Sequence, residues 1–349
     1  MRVLLTGGSG FIGSHIALLL LERGFDVLIF DSFVNSSSNV VNRIKTYLES
    51  EKKLNYKFET INGDIRDEQL LNNIFRNSIN ENRPIETVIH LAGLKSVSES
   101  LIDPLRYWDV NVQGTLNLLN TMKEYECYSL VFSSSATVYG LSDSVPISED
   151  HKISPINPYG KTKVAIENIF YDLYNSNMNN WKICSLRYFN PVGAHPSGLI
   201  GENPIGIPNN LFPFITQVAI GRQKTLKVFG DDWDTNDGSG IRDYIHIIDL
   251  AEGHIASIDY LISKDSCLEF INLGSGKGYS VFQIIRQFQL STGRQIPFAI
   301  QSRRDGDVAK SYADITKAKK LLGWTPMRSL EQICLDGWNW QIKNPNGYC

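Results

Sequence analysis

Tyr159 and Lys163 stand four residues apart in the run Tyr159-Gly160-Lys161-Thr162-Lys163, so any helix that contains both places them on one face. An ammonium beside a phenol favours the phenolate, and a phenolate is a usable general base. Upstream, Ser133-Ser134-Ser135-Ala136-Thr137-Val138-Tyr139-Gly140 delivers hydroxyls at the end of an apolar segment. From there Ser135 is suited to relay or stabilise a proton between a substrate hydroxyl and Tyr159. Alone, a Tyr-x-x-x-Lys pair reads equally as an exposed helix pair. Its meaning depends on what else the chain carries.

The beginning of the chain supplies that context. Gly7, Gly10 and Gly13 are spaced G-x-x-G-x-x-G directly behind Val3-Leu4-Leu5 and ahead of a helix-like stretch from Phe11 to Arg23. Glycine at these positions allows a tight strand-to-helix turn, close backbone approach to a pyrophosphate, and close helix-on-strand contact at the third position. The helix N-terminus adds unpaired N–H groups and partial positive charge. Asp31 ends the next apolar strand, Asp26-Val27-Leu28-Ile29-Phe30, about 20 residues on, as a dinucleotide-binding fingerprint requires. A carboxylate there accepts hydrogen bonds from ribose hydroxyls and repels a 2′-phosphate, and no basic residue follows before Arg43. NAD is therefore the expected cofactor, and its oxidised nicotinamide would further favour a Tyr159 phenolate. The competing reading of Asp31 is an N-cap for the following helix.

The elements that must position these groups follow from hydrophobic patterning. Up to about residue 190, candidate strands at Arg2–Thr6, Asp26–Asp31, Tyr56–Asn62, Thr87–His90, Ser129–Ser133 and Lys182–Leu186 alternate with candidate helices at Val40–Ser50, Asp67–Asn77, Pro104–Glu126 and Pro158–Tyr174. Alternation of this kind predicts a Rossmann-type doubly wound parallel sheet in an α/β protein. Asp67 is a plausible N-cap and Pro158 a first-turn proline. Pro191, Gly193, Pro196, Gly198, Gly201, Pro204, Gly206 and Pro208 then crowd one stretch, which predicts a long ordered loop. Beyond it, helices at Asp249–Ile262 and Ser280–Gln289 mix with short strands. The expected organisation is an NAD-binding domain over 1–190 and a smaller mixed α/β lobe over 191–349, with segments interleaving.

Composition narrows the function class. The 349 residues carry a net charge of −3 with dispersed Lys and Arg, which indicates neither nucleic acid nor an anionic membrane. The five cysteines are widely spaced without a C-x-x-C, so no disulfide framework or zinc site is expected. His90, His195 and His246 lack ligand spacing and read as structural. No stretch approaches the roughly 18 apolar residues of a membrane helix, and a cytoplasmic location is the expectation.

These residues resemble the extended short-chain dehydrogenase/reductases. Within them the chain resembles the UDP-glucose 4-epimerase family almost end to end, through Thr6 to Gly13, Gly63-Asp64-Ile65, His90 to Lys95, Phe132 to Gly140, Arg187 to Pro196, Gly206 to Leu211, and Arg242 to His246. The resemblance implies one NAD retained through turnover. Tyr159 takes the proton of the sugar 4-hydroxyl while hydride leaves C4, the 4-keto sugar turns over, and hydride returns to its other face. Lys163 would hold the nicotinamide ribose and Ser135 would bond the same hydroxyl. It implies NAD contacts from Phe11, Ile12, Asp31, Ser32, Asn35, Ser36, Asp64, Ile65, Leu91, Ala92, Lys95, Asn111, Ser133 and Phe189. Ile65 and Leu91 read equally as core, and Lys95 as a solvated charge.

For a UDP-hexose, arginine suits the pyrophosphate because its guanidinium binds phosphate oxygens in pairs. The resemblance places Arg242 and Arg304 there, Asp307 on a ribose hydroxyl, and Asn190, Asn210, Leu211 and Phe229 around the sugar and uracil, with Lys95 also near the substrate. Arg303 and Arg304 otherwise read as a solvated basic turn. Ser311 occupies a position where relatives restricted to plain hexoses carry tyrosine, and a small residue there implies room for an acetamido group. A homodimer is likewise implied, through helices such as Pro104–Glu126 and Pro158–Tyr174. Rival readings are a 4,6-dehydratase, which needs an acidic pair where Ala136-Thr137 stands, a UDP-pentose or UDP-uronate 4-epimerase, and a non-catalytic NAD-sensing protein.

Overall fold

The first six strands, β1 (Arg2–Thr6), β2 (Asp26–Asp31), β3 (Lys57–Asn62), β4 (Ile85–His90), β5 (Ser129–Ser135) and β6 (Lys182–Tyr188), alternate with helices in a computed structural model of the chain. It describes all residues except 54, 143, 177–179, 207, 209, 305 and 349; Ile207 and Asn209 of the motifs above, and Cys349, lie outside the described residues. The intervening helices are α1 (Phe11–Glu22), α2 (Asn39–Ser50), α3 (Glu68–Asn80), α4 (Val97–Ile102), α5 (Pro104–Tyr107), α6 (Gly114–Glu124) and α7 (Pro158–Asn175). A π-helical turn, Trp108–Gln113, joins α5 to α6, so the helix expected over Pro104–Glu126 is continuous but locally widened.

After β6 come β7 (Asn190–Val192), α8 (Leu211–Ala219), β8 (Leu226–Phe229), β9 (Ile241–His246), α9 (Ile247–Ile262), β10 (Cys267–Leu273), β11 (Gly278–Ser280), α10 (Val281–Thr292), β12 (Phe298–Gln301), β13 (Lys310–Ser311), α11 (Thr316–Leu322) and α12 (Leu330–Lys343). Strand β10 pairs with β6 and completes a seven-stranded parallel sheet in the order β10-β6-β5-β4-β1-β2-β3. The order reverses direction between β1 and β4, the switch point where such sheets bind ligands beyond their strand C-termini. A smaller set, β11-β9-β13 with β7 on β9, and the pair β12-β8 form the second lobe.

Both faces of the large sheet are covered, which explains why its inner strands are continuously apolar: every residue of β1 is buried. On one face Ile16 and Leu20 of α1, Ile44 of α2 and Ile255 and Ile258 of α9 share a core. On the other lie Leu71 and Phe75 of α3, Leu118 and Met122 of α6, and Ile166 and Phe170 of α7. Phe212 of α8, Phe288 of α10 and Trp338 of α12 anchor the second lobe's own core.

Local signals set the element starts. Asp67 caps α3 by accepting from the Leu70 amide at 2.9 Å. Pro158 opens α7 in its first turn, with Asn157 accepting from the Gly160 amide at 2.8 Å. Strands β5 and β6 run two residues past their expected ends because Ser134 pairs with Arg187 and Ser135 with Tyr188 in register.

Gly10 and Gly13 separate two glycine roles. A Cβ on Gly13 would lie 2.6 Å from the Gly7 carbonyl oxygen and from Gly8 Cα, whereas on Gly10 its nearest neighbour is at 3.4 Å. Gly13→Ala is expected to destabilise the ligand-free protein by about 1–3 kcal/mol, and Gly10→Ala by less than about 1 kcal/mol. Urea unfolding of both variants checks this.

Candidate active site

The predicted residues collect along the C-terminal edge of the large sheet. At the switch point the Gly7 amide donates to the Phe30 carbonyl and the Leu91 amide to the Thr6 carbonyl. Gly7 has φ +70°, and a Cβ there would sit 2.7 Å from the Ala92 nitrogen. Only glycine lets the turn after β1 and the loop after β4 approach this closely. Helix α1 begins at Phe11 without a side-chain cap, and the buried Ser9 hydroxyl has no partner. This cradle therefore presents an unused hydroxyl and the first-turn amides of a 12-residue helix, which fits a pyrophosphate.

Asp31 is not a helix cap; Ser38 precedes α2. Its buried carboxylate accepts from the Ser9 amide at 2.8 Å, the Phe33 amide at 2.9 Å and the Ser36 hydroxyl at 2.9 Å. It thus ties the glycine turn to the following loop, where Ser32 and Asn35 are exposed. Asp64 is paired with Arg66, whose guanidinium holds its carboxyl below the usual range and also reaches Asp109. Ile65 is core, packed against Gly114. Asn111, on the π-helical turn, braces the loop after β4: its Oδ1 accepts from the Leu94 amide at 2.8 Å, and its Nδ2 donates to Leu94 O and Thr162 Oγ1. Both ends of that side chain are therefore engaged within the protein.

Tyr159, Lys163 and Ser135 are brought together. Ser135 hydrogen-bonds Tyr159 and draws the phenol's pKa down, but burial dominates and pushes it up to about 12. Lys163, buried in the interior, donates to the Ser133 carbonyl at 2.6 Å, with Nζ 5.7 Å from the Tyr159 ring centre. Burial lowers its amine from 10.5 to about 7. Desolvation therefore dominates the phenol in the ligand-free protein. Tyr188 hydrogen-bonds Ser133 and approaches His254, with its phenol raised by burial. Phe189 lies in a small core with Val138, Tyr139 and Ile147.

The second lobe assembles the remaining residues. Arg242 donates to the Val308 carbonyl at 2.8 Å and stands 3.6 Å from Asp307. Arg304, exposed, stacks 3.7 Å over the Phe229 ring. Ser311 pairs with Arg242 in register and is half-buried. Asn190 is exposed at the start of β7, and Leu211 opens α8 behind Asn210. Glu202, which sequence reasoning missed, joins the lobes: Lys95 stands 3.9 Å from it, Asn210 hydrogen-bonds it, and burial raises its carboxyl. No sequence periodicity marks such a loop residue.

Three histidines are hydrogen-bonded within the protein. His90 bonds Thr6 and Thr115, His195 bonds Ser197, and His246 bonds Asp336. No group of three or more metal-ligating side chains occurs among the described residues. No helix is long and apolar enough to cross a membrane among those residues.

Comparison with known proteins agrees with this geometry. A family model described as GDP-mannose 4,6 dehydratase matches residues 4–336. The UDP-glucose 4-epimerase of Bacillus subtilis (strain 168) is 45% identical over 348 residues, covering 100% of this chain and 99% of the relative. The chain belongs to the UDP-glucose 4-epimerase family. Among solved structures, the UDP-glucose 4-epimerase of Stenotrophomonas maltophila, with bound NAD and formylated UDP-arabinopyranose, superposes with TM-score 0.92 at 43% identity, covering 99% of each chain. That of Bifidobacterium longum, in complex with NAD+ and UDP, gives 0.91 at 44%, covering 99% of this chain and 100% of that one.

Lys163 makes the stability of the ligand-free protein depend on pH. Between about 7 and 10.5 the unfolded chain binds a proton that the folded chain does not. Stability therefore rises with pH across this window, by up to about 1.4 kcal/mol per unit. Lys163→Met should flatten the rise in urea unfolding, and an unchanged slope would refute the assignment.

Proposed function

We propose that this protein interconverts UDP-glucose and UDP-galactose by inverting C4 of the sugar. The observation that carries the reading is the assembly of Tyr159, Ser135 and Lys163 beside a glycine cradle fitted to a dinucleotide. NAD, when bound, supplies the acceptor and the donor of the C4 hydride, so that no net redox occurs. Asp31 at the end of β2 favours it over NADP. Gly7, Gly10 and the Phe11 and Ile12 amides would hold its pyrophosphate, with Gly13 packing α1 against the turn, and residues from the loops at Asp31 to Ser36, Asp64-Ile65 and Leu91 to Lys95 would hold the rest.

Tyr159 is the base that removes the 4-hydroxyl proton, and Ser135 shares that hydroxyl and stabilises the phenolate by donating to it. A phenol at about 12 is not a base near neutrality, so the positive charges around it must lower it. Lys163, fixed by Ser133, is the protein's contribution. Arg242 and Arg304 hold the pyrophosphate, Asp307 a ribose hydroxyl, and Phe229 the uracil. Asn190, Asn210, Leu211 and Ser311 bound the space in which the hexose turns over.

Ala136-Thr137 follows the serine strand in place of the acidic pair that dehydration requires, and Thr137 donates its hydroxyl to Ser135 at 3.0 Å. This supports epimerisation rather than loss of water. A homodimer is part of the same reading: Leu101, Ile102, Leu105 and Tyr171 lie exposed on the adjoining helices α4, α5 and α7, an apolar surface suited to self-association. Ser311, half-buried on β13, is smaller than the tyrosine of relatives restricted to plain hexoses, and turnover of UDP-N-acetylglucosamine is part of the same proposal.

Incubation of the purified protein with each UDP-sugar, without added NAD, should yield the C4 epimer. Tyr159→Phe should lower kcat by about 10²-fold or more; full activity in that variant, or no epimer from any sugar, overturns the reading. Ser311→Tyr should abolish N-acetylhexose turnover and spare UDP-glucose. Equal N-acetyl rates in variant and wild type would remove Ser311 from substrate selection.

A further inference from the structure

Glu167 takes no part in the chemistry assigned to Tyr159 and Lys163, and yet it lies one helical turn beyond Lys163 on the same face of α7. Its carboxylate is buried and accepts four hydrogen bonds: from Ser134 Oγ at 2.7 Å, Ser185 Oγ at 3.0 Å, Arg187 Nε at 3.1 Å and Arg187 Nη2 at 2.8 Å. Arg187 in turn donates to the Tyr139 hydroxyl and the Glu149 carbonyl. Three successive serines of β5 thus meet three successive turns of α7. Ser133 accepts from Lys163, Ser134 donates to Glu167, and Ser135 bonds Tyr159.

A buried ion pair is a poor source of stability, since apolar side chains of equal volume usually do as well. What apolar side chains lack is direction: they would let α7 slide along β5, and they carry no charge. The charged and titratable groups around Lys163 are few. His90 comes from β4 and is kept neutral by burial, its pKa near 3. Tyr188 and Arg187 come from β6, Tyr139 from the turn after β5, and Glu149 from the loop before α7. Glu167 is the carboxylate that favours the charged form of the lysine against burial.

We propose that Glu167 is a positioning residue for the reaction: held by Arg187, it keeps α7 in register on the serine strand and maintains Lys163 as an ammonium beside Tyr159. This rests on Tyr159 and Lys163 acting as assigned above. Glu167→Gln keeps the shape and, at Oε1, the contacts from Ser134, Ser185 and Arg187 Nε, but it removes the charge and sets an amide against Arg187 Nη2. The alkaline fall in kcat should then move to lower pH by about one unit, with KM for UDP-glucose unchanged.

Tyrosinate absorbance gives a second readout, taken as the difference between Glu167→Gln and the same variant carrying Tyr159→Phe. The Tyr159 phenolate should appear at higher pH than in the wild type. If Glu167→Gln does not fold, the double variant Glu167→Met with Arg187→Met keeps the interior neutral and should shift the profile in the same direction. An alkaline limb that coincides with the wild type in whichever variant folds, or a kcat lowered equally at every pH, overturns the proposal. A wild type that epimerises no UDP-sugar overturns the functional reading instead.

Discussion

The hydrogen bond from Lys163 Nζ to the Ser133 carbonyl, 2.6 Å long, holds an ammonium out of water between a helix and a strand end. Burying such a charge is unfavourable, and the fall of the amine to about 7 reports how unfavourable it is. The surroundings answer with a carbonyl, the face of Phe132 at 4.7 Å and the Glu167 carboxylate one turn away. Each of these is fixed only if β5 continues to Ser135 and α7 lies in one register against it. The catalytic group is therefore only as well placed as that helix-strand contact.

The same constraint accounts for features that are unremarkable singly. Asn157 and Pro158 start α7 at one residue, so Tyr159 falls in its first turn, beside Ser135. The π-helical turn at Trp108–Gln113 turns Asn111 toward both Leu94 and Thr162, linking the loop after β4 to α7. Glycine at position 7 then lets the first loop of the sheet close on Ala92. The glycine turn and Tyr159 share one edge of the sheet, while Arg242, Arg304 and Ser311 sit on a lobe with its own core.

Much of this was legible in the sequence because it is local. The alternation of strands and helices, the cap at Asp67, the first-turn proline and the four-residue step from Tyr159 to Lys163 each depend on neighbours a few residues away. So did the sheet class, since a buried parallel strand must be apolar on both faces. The ends of β5 and β6 were read two residues short because serine and arginine look like loop when their partners are unseen. Ser134 and Arg187 pair with each other in the ladder, and Glu167, 33 and 20 residues away, satisfies their side chains.

What the sequence determined by itself is the set of chemical groups: a glycine turn between strand and helix, a carboxylate ending the second strand, a tyrosine with a lysine four residues on, and arginines in the second half of the chain. What only the tertiary structure decided is their electrostatic state and their company. Desolvation depends on everything packed around a group, and in the ligand-free protein it raises the Tyr159 phenol to about 12. Contacts such as Lys95 with Glu202, or Arg304 over Phe229, join residues far apart along the chain. No local pattern encodes them, because they exist only once distant segments of the chain have packed together.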